Sequence, residues 1–298
     1  MTIRIANTPE SWGVQEDGGS ALLFTPAQVL DQIAASYDGL ELGRWGFLPT
    51  DPAQLSAELE KRGLRLVAAG LFCDFLDSEA VARAVDAVGR VGGLTAALGG
   101  ICVVLTDVVG SAPELVKQAG RRTGSWLNSD QWERFAAGVS RVAAALHTLT
   151  GLTAAFRPFG GTRVETADEI RRLLARTEAE PVGLCLDTGH YYYAGGDPAE
   201  AVREFAARLR LLHLRDCDEG IRELAHKEKM DFHAAIAAGV FCAVGEGAVD
   251  FGALLNAASS LEQVNWAVVK GSAGLIDDLD APRAEAARTR DYLRKLGY

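Results

Sequence analysis

Val182-Gly183-Leu184-Cys185-Leu186-Asp187-Thr188-Gly189-His190 is a small and apolar run that stops abruptly at a carboxylate. It lacks the alternation of a half-wet strand and is too short for a buried helix, so it reads as a parallel strand covered on both faces. Leu211-Leu212-His213-Leu214-Arg215-Asp216 repeats the pattern. Working outward, similar runs occur at 3–6, 39–42, 64–69, 101–105, 152–156 and 266–269, which makes eight. Helical patterns separate them, and β alternating with α is what a parallel sheet requires. Eight such units in 298 residues predict an α/β fold, a closed (β/α)8 TIM barrel. A doubly wound sheet is the second choice, but no G-x-G-x-x-G follows the first strand.

The helix starts support this reading. Thr25-Pro26-Ala27-Gln28, Asp51-Pro52-Ala53-Gln54, Thr166-Ala167-Asp168-Glu169 and Asp197-Pro198-Ala199-Glu200 each place a capping oxygen first and Glu or Gln three residues later. Trp132, Phe135, Val139, Val142 and Leu146 share one face of a helix beginning near Ser129. No linker or repeat divides the chain, so 1–298 is taken as one barrel domain, although length alone allows two. Two connections are long, about 107–128 after the fourth strand and 217–249 after the seventh. Both would lie at the carboxyl end of the strands, where barrel active sites are built. The second reads either as a lid or as a solvated helical excursion.

Composition excludes several function classes. With 48% apolar and 23% charged residues the chain is globular, and a formal charge of −10 without a basic stripe argues against a nucleic-acid partner. No apolar run is long enough to span a bilayer and the first residues lack a signal-peptide pattern, so no membrane partner and a cytoplasmic location are expected. The five cysteines, Cys73, Cys102, Cys185, Cys217 and Cys242, form no C-x-x-C pair and read as packing thiols.

A strand buried on both faces should be apolar, so the polar residues closing these strands are the candidates for chemistry: Glu41, Arg157, Asp187 with His190, His213 with Asp216, and Lys270. Each alone has a bland explanation, a core histidine satisfied by a carbonyl or an aspartate capping the next helix. Together on successive strands they face one mouth. Trp12 and Trp45 follow the first two strands and would either form an apolar wall against a ligand or pack as barrel rim. Glu41 suits a hydroxyl acceptor, while Arg215 and Asp216 suit orientation of their neighbours. Gly245-Glu246-Gly247 reads first as a turn, with Glu246 reaching the pocket only if the loop folds back.

At these residues the chain resembles the inosose dehydratases of the xylose-isomerase-like sugar isomerase/epimerase superfamily. The resemblance is carried by Asn7-Thr8-Pro9-Glu10-Ser11-Trp12-Gly13, Glu41-Leu42-Gly43, Gly161-Thr162-Arg163-Val164-Glu165-Thr166, Leu186-Asp187-Thr188-Gly189-His190 and Gly245-Glu246-Gly247. It implies the barrel fold and proton abstraction beside a carbonyl of a sugar or cyclic polyol. It also implies a divalent ion held by one ligand from each of four strands, with Asp187 and His213 at two of those positions. At the other two the chain departs: Arg157-Pro158-Phe159 stands where such relatives read His-Pro-His, and Lys270-Gly271-Ser272 where they end in Glu.

Arginine has no lone pair to give and an ammonium repels a dication. No cofactor is therefore expected, and Arg157 and Lys270 are read as partners of Asp187 that carry the metal's positive charge. The leading function is a metal-independent isomerase, epimerase or dehydratase, with the enolate stabilised by Arg157 and Lys270 and His213, His190 or Glu246 as base. Lys270 as a Schiff-base nucleophile is a variant. The alternatives are a non-catalytic binder of a sugar or anion, and a metal-dependent inosose-dehydratase-like lyase using Mn or Mg through Glu41, Asp74 or Glu246. Five histidines and the negative charge speak against the superfamily's trizinc endonucleases. The expected partner is a small-molecule sugar or polyol, and a homo-oligomer is possible.

Overall fold

The computed structural model describes residues 3–14, 23–272 and 276–298. Ten strands are present among them: β1 (Arg4–Asn7), β2 (Gly39–Glu41), β3 (Arg65–Cys73), β4 (Cys102–Asp107), β5 (Thr153–Arg157), β6 (Val182–Asp187), β7 (Leu209–Leu214), β8 (Asp216–Cys217), β9 (Phe241–Cys242) and β10 (Trp266–Val269). Eight close a parallel barrel in the order β1-β10-β7-β6-β5-β4-β3-β2, and these are the eight runs of the sequence. The remaining two, β8 and β9, form a small antiparallel pair in the long seventh connection.

The barrel interior is narrow and filled by small residues, Ala6, Ala68, Cys102, Ala155 and Cys185 among them, with Val67, Val104, Leu211 and Val268. Trp266 closes its amino end, and the Arg4 guanidinium lies 4.0 Å from the indole centroid. Gly39 is demanded here, because a β-carbon would stand 2.8 Å from the Arg65 carbonyl and 3.0 Å from that indole. Outside the strands a second core packs helices against the sheet, with Phe75, Phe135 and Phe156 in mutual ring contact at 5.5–6.0 Å. Burying such rings contributes several kcal/mol, roughly 25 cal/mol per Å² of apolar surface.

The capping oxygens sit where the sequence places them. Thr25 accepts from the Gln28 amide, Asp51 from Gln54, Thr166 from Glu169 and Asp197 from Ala199 and Glu200. The helix Ser129–Thr150 buries all five residues of its expected apolar face. Four of the cysteines are buried and Cys242 half-buried, all as free thiols. No helix among the described residues is long and apolar enough to cross a membrane.

Both long connections are folded and pack on each other. The first carries the helix Pro113–Gln118, the second the helices Glu219–Lys227 and Phe232–Ala237. Val116, Ala119, Tyr193, Phe232 and Phe241 give this layer its own apolar cluster, and Arg121 Nη1 donates to the Met230 carbonyl at 2.8 Å. The seventh connection is therefore a helical excursion with a core of its own.

Candidate active site

Register places the ionisable strand ends side by side at the carboxyl end of the barrel. Asp187 pairs with His213 across β6 and β7, Thr106 with Arg157 across β4 and β5, and Lys270 N donates to Leu214 O just past the β7–β10 pairing. Asp187 caps the helix Thr188–Tyr193, its Oδ1 accepting from the His190 amide at 3.2 Å. Its other oxygen, Oδ2, lies 3.6 Å from Arg215 Nε, 3.9 Å from His190 Nε2 and 4.0 Å from His213 Nδ1. Burial alone would raise this carboxyl's pKa, but His190, Arg215, His213 and Arg157 outweigh it and hold the group well below the carboxylate range.

His213 stands between two carboxylates. Its Nε2 faces Glu41 Oε2 at 3.1 Å and its Nδ1 faces Arg157 Nη1 at 3.4 Å. Because a guanidinium only donates, the consistent neutral tautomer carries its proton on Nε2, toward Glu41, and a lone pair on Nδ1. Burial keeps the ring pKa below its usual value, against the opposing pull of Glu41. His190 is fixed similarly: the Gly160 amide donates to its Nδ1 at 3.2 Å, which leaves Nε2 as the protonated nitrogen. Its ring stacks 3.7 Å from Phe159, and burial pushes its pKa down to about 3.

The cations are placed differently from one another. Arg157 Nε donates to Thr106 Oγ1 at 3.0 Å, with the rings of Phe159 and Phe72 at 4.9 and 5.6 Å. Lys270 Nζ lies 3.0 Å from Glu41 Oε2 and 3.0 Å from Glu10 Oε2. The expected pairing of Lys270 with Asp187 is thus corrected: β10 sits beside β1, so its end meets the carboxylates that follow β1 and β2. Arg157 does belong to the field around Asp187. Arg215 fills the remaining side, with Nη2 3.6 Å from Glu10 and Nη1 donating to the Gly271 carbonyl at 3.3 Å.

Other expected residues stand apart from this cluster. Glu246 is exposed and paired with Arg288 at 2.7 Å. The glycines around it serve a backbone device, since Asp216 accepts from the amides of Cys217, Gly245, Gly247 and Val249. Trp12 is buried with its indole N–H on Asn7 Oδ1 at 2.7 Å, a core residue rather than an open wall. Trp45 is exposed and lines, with Arg44, Phe72 and Arg90, a surface cavity of about 300 Å³. Asp74 pairs with Arg163 at 3.0 Å, which also holds the buried Asp107 at 2.8 Å.

Glu10 is the site residue that strand-end reasoning passes over. It lies three residues beyond β1 in a 3-10 turn, Pro9–Trp12, so no apolar run ends on it. Burial would raise its pKa, but Lys270, Arg215 and Arg157 hold it down at about 2. The Arg122 bridge between the buried Glu165 and Glu169 was equally silent in the sequence.

Five buried polar atoms of this mouth, Glu41 Oε2, Asp187 Oδ2, His190 Nε2, His213 Nε2 and Arg215 Nε, have no aligned hydrogen-bond partner among the described residues. Their neighbours are charged groups at 3.0–4.0 Å in poor hydrogen-bond alignment, so an incoming ligand atom can improve their pairing, and their convergence marks the mouth as the candidate site. A divalent ion fits these donors poorly. His213 presents opposite ring nitrogens to Glu41 and Asp187, so the two carboxylates do not meet on one side of it, and Lys270 stands against Glu41. Among the described residues no three His, Cys, Asp or Glu side chains are grouped to hold a metal.

A closed parallel eight-stranded barrel with its ionisable groups at the strand carboxyl ends defines a TIM barrel of enzymatic layout. The chain belongs to the xylose isomerase-like TIM barrel family, which it matches over residues 30–296. It is 28% identical over 295 residues to an inosose dehydratase of Geobacillus kaustophilus, covering 98% of this chain and 94% of the other. It is 31% identical over 273 residues to the rhizopine catabolism protein MocC of Rhizobium meliloti, covering 91% and 82%. Among solved structures it is similar to the IOLI protein with a binding zinc atom (TM-score 0.72, 14% identity, 99% of each chain). It is also similar to the 3-keto-D-glucoside 4-epimerase YcjR of E. coli (TM-score 0.68, 17% identity, 97% and 100%).

Proposed function

We propose that the chain is an isomerase, epimerase or dehydratase that removes a proton beside the carbonyl of a sugar or cyclic polyol, inosose being the first substrate to test. The observation that carries this is the convergence at the mouth of buried polar atoms held by ion-pair neighbours but, among the described residues, without an aligned hydrogen bond: the Glu41 and Asp187 oxygens can turn to accept from hydroxyls and the Arg215 Nε–H to donate. The inosose dehydratase relatives support the substrate class.

In this reading the substrate carbonyl enters between Arg157 and Lys270, whose fixed charges stabilise the enolate oxygen without reorganising. His213 Nδ1, relieved of its long contact to Arg157, takes the carbon-bound proton. Glu41 and Asp187 flank the imidazolium so formed. The His213 imidazolium then returns its proton, to carbon in isomerisation or epimerisation, or to a departing β-hydroxyl that His190 Nε2–H hydrogen-bonds in dehydration. Lys270, ion-paired on two sides, acts as a cation and not as a nucleophile. No metal is required in this scheme, because the guanidinium and ammonium supply the charge.

The test is exchange of the carbonyl-adjacent hydrogens of keto-polyols in D₂O, followed by NMR, on chelator-treated protein whose metal content is measured. Exchange that survives chelation and fails in Arg157→Gln is expected. About one tightly held ion per chain, with exchange lost on its removal, would overturn metal independence. No exchange or product with any keto-polyol would overturn the enzymatic reading.

A further inference from the structure

Glu10 is the most exposed of the charged groups described at the mouth. Among the described residues, the fully buried charged groups there are three cations, Arg157, Arg215 and Lys270, and two carboxylates, Glu41 and Asp187. Glu10 adds a third carboxylate, whose side chain is 34% exposed while each of those five is at most 4% exposed as a residue. Its two oxygens are divided between two buried cations, Oε2 to Lys270 Nζ at 3.0 Å and Oε1 to Arg215 Nη2 at 3.6 Å. That is how a bound carboxylate or phosphate is gripped.

The turn that carries Glu10 is anchored on either side of it. Trp12 is tied to Asn7, and Ser11 Oγ accepts from the Gly271 amide at 2.9 Å. Glu10 itself reaches the cations from the solvent side and can leave without disturbing those bonds. Arg215 Nε behind it is buried, 3.6 Å from Asp187 Oδ2 and without an aligned acceptor among the described residues.

We propose that Glu10 is a displaceable self-ligand at an oxyanion subsite, and that the substrate is an acidic sugar or polyol whose carboxylate or phosphate takes its place between Lys270 and Arg215. This rests on the reading of the mouth as the active site. It adds that the substrate is an anion, with its carbonyl on the Arg157 side of Lys270 and its charged group on the Arg215 side. An internal carboxylate that occupies the subsite most of the time reduces apparent affinity for a competing anion by the fraction of time the subsite is vacant.

The experiment is calorimetric titration of the full chain with inorganic phosphate and with D-gluconate, using myo-inositol as the neutral control at constant ionic strength. Glu10→Gln is expected to bind at least one anion about tenfold more tightly than the parent, with myo-inositol unchanged. Adding Lys270→Gln should erase the gain. A gain confined to phosphate or to gluconate identifies which anion the subsite takes. Equal anion affinity in parent and Glu10→Gln overturns the proposal, as does an equal gain for myo-inositol, which would make Glu10 a steric plug. The readout is independent of turnover. An anion gain without deuterium exchange retains the subsite and overturns the catalytic reading, and exchange without a gain does the reverse.

Discussion

His213 concentrates the proposed chemistry because each ring nitrogen has a distinct partner. Replacing it with Gln, which cannot take the proton, should lower kcat by roughly 10²–10⁴-fold. The base must be neutral to work, so kcat/KM should rise with pH and level off, with its acid limb below the ordinary histidine range because burial depresses this ring. Glu41 opposes that depression, so Glu41→Gln should move the limb to still lower pH while reducing kcat; a pH–rate profile of both proteins checks this, and a limb moving upward would remove Glu41 as the partner. A second residue-scale prediction concerns the two cations. Lys270→Glu with Arg157→His should raise divalent-metal affinity above the parent's, read by Mn²⁺ titration, and no gain would count against the placement of these residues at ligand positions. Arg157, Asp187, His213 and Lys270 were legible in the sequence because an ionisable group that closes an apolar run is anomalous. Glu10 was not, because it reaches the same point from a turn that no run predicts.

At the scale of elements, the loops of the mouth are held by buried carboxylates that bind backbone amides and cations. Asp216 binds four backbone amides of the β8 end and the Gly245–Val249 stretch, and a β-carbon on Gly247 would lie 2.5 Å from its Oδ1. Asp216→Asn turns an acceptor-only group into one that must point a donor at those amides, and should cost roughly 2–4 kcal/mol in urea unfolding. Glu246→Gln breaks only an exposed pair with Arg288 and should stay within about 0.5 kcal/mol of the parent. If the two variants were equally destabilised, the Gly-Glu-Gly segment would owe its shape to Glu246 after all. The sequence showed the strands and caps well, because periodicity and N-cap chemistry are local. It did not show the Arg122–Glu165–Glu169 bridge, which joins residues more than forty positions apart and depends on how the two loops fold over the barrel.

For the whole molecule, the fold keeps histidines neutral and carboxylates ionised in a buried mouth, and this sets how stability responds to acid. His190 has a folded pKa of about 3 against 6.5 unfolded, so between those values the unfolded chain binds a proton that the native chain does not. Stability therefore falls as pH drops below 6.5, by up to about 1.4 kcal/mol per pH unit from this residue, and His213 acts in the same direction. Glu10, Glu41 and Asp187, all depressed, add their loss only below the ordinary carboxylate range. Asp107 opposes them. Burial raises its pKa to about 6 against 3.8 unfolded, despite Arg163 beside it, so the native chain takes up a proton first and gains stability between pH 6 and 4. Asp107→Asn removes that gain, and its unfolding free energy should fall more steeply from pH 6 to pH 4 than the parent's, whatever the change in absolute stability. His190→Gln should fall less steeply. Urea midpoints at pH 7, 6, 5 and 4 give the slopes, and slopes ordered the other way would mean that Asp107 is ionised against Arg163 throughout or that His190 is charged in the native mouth.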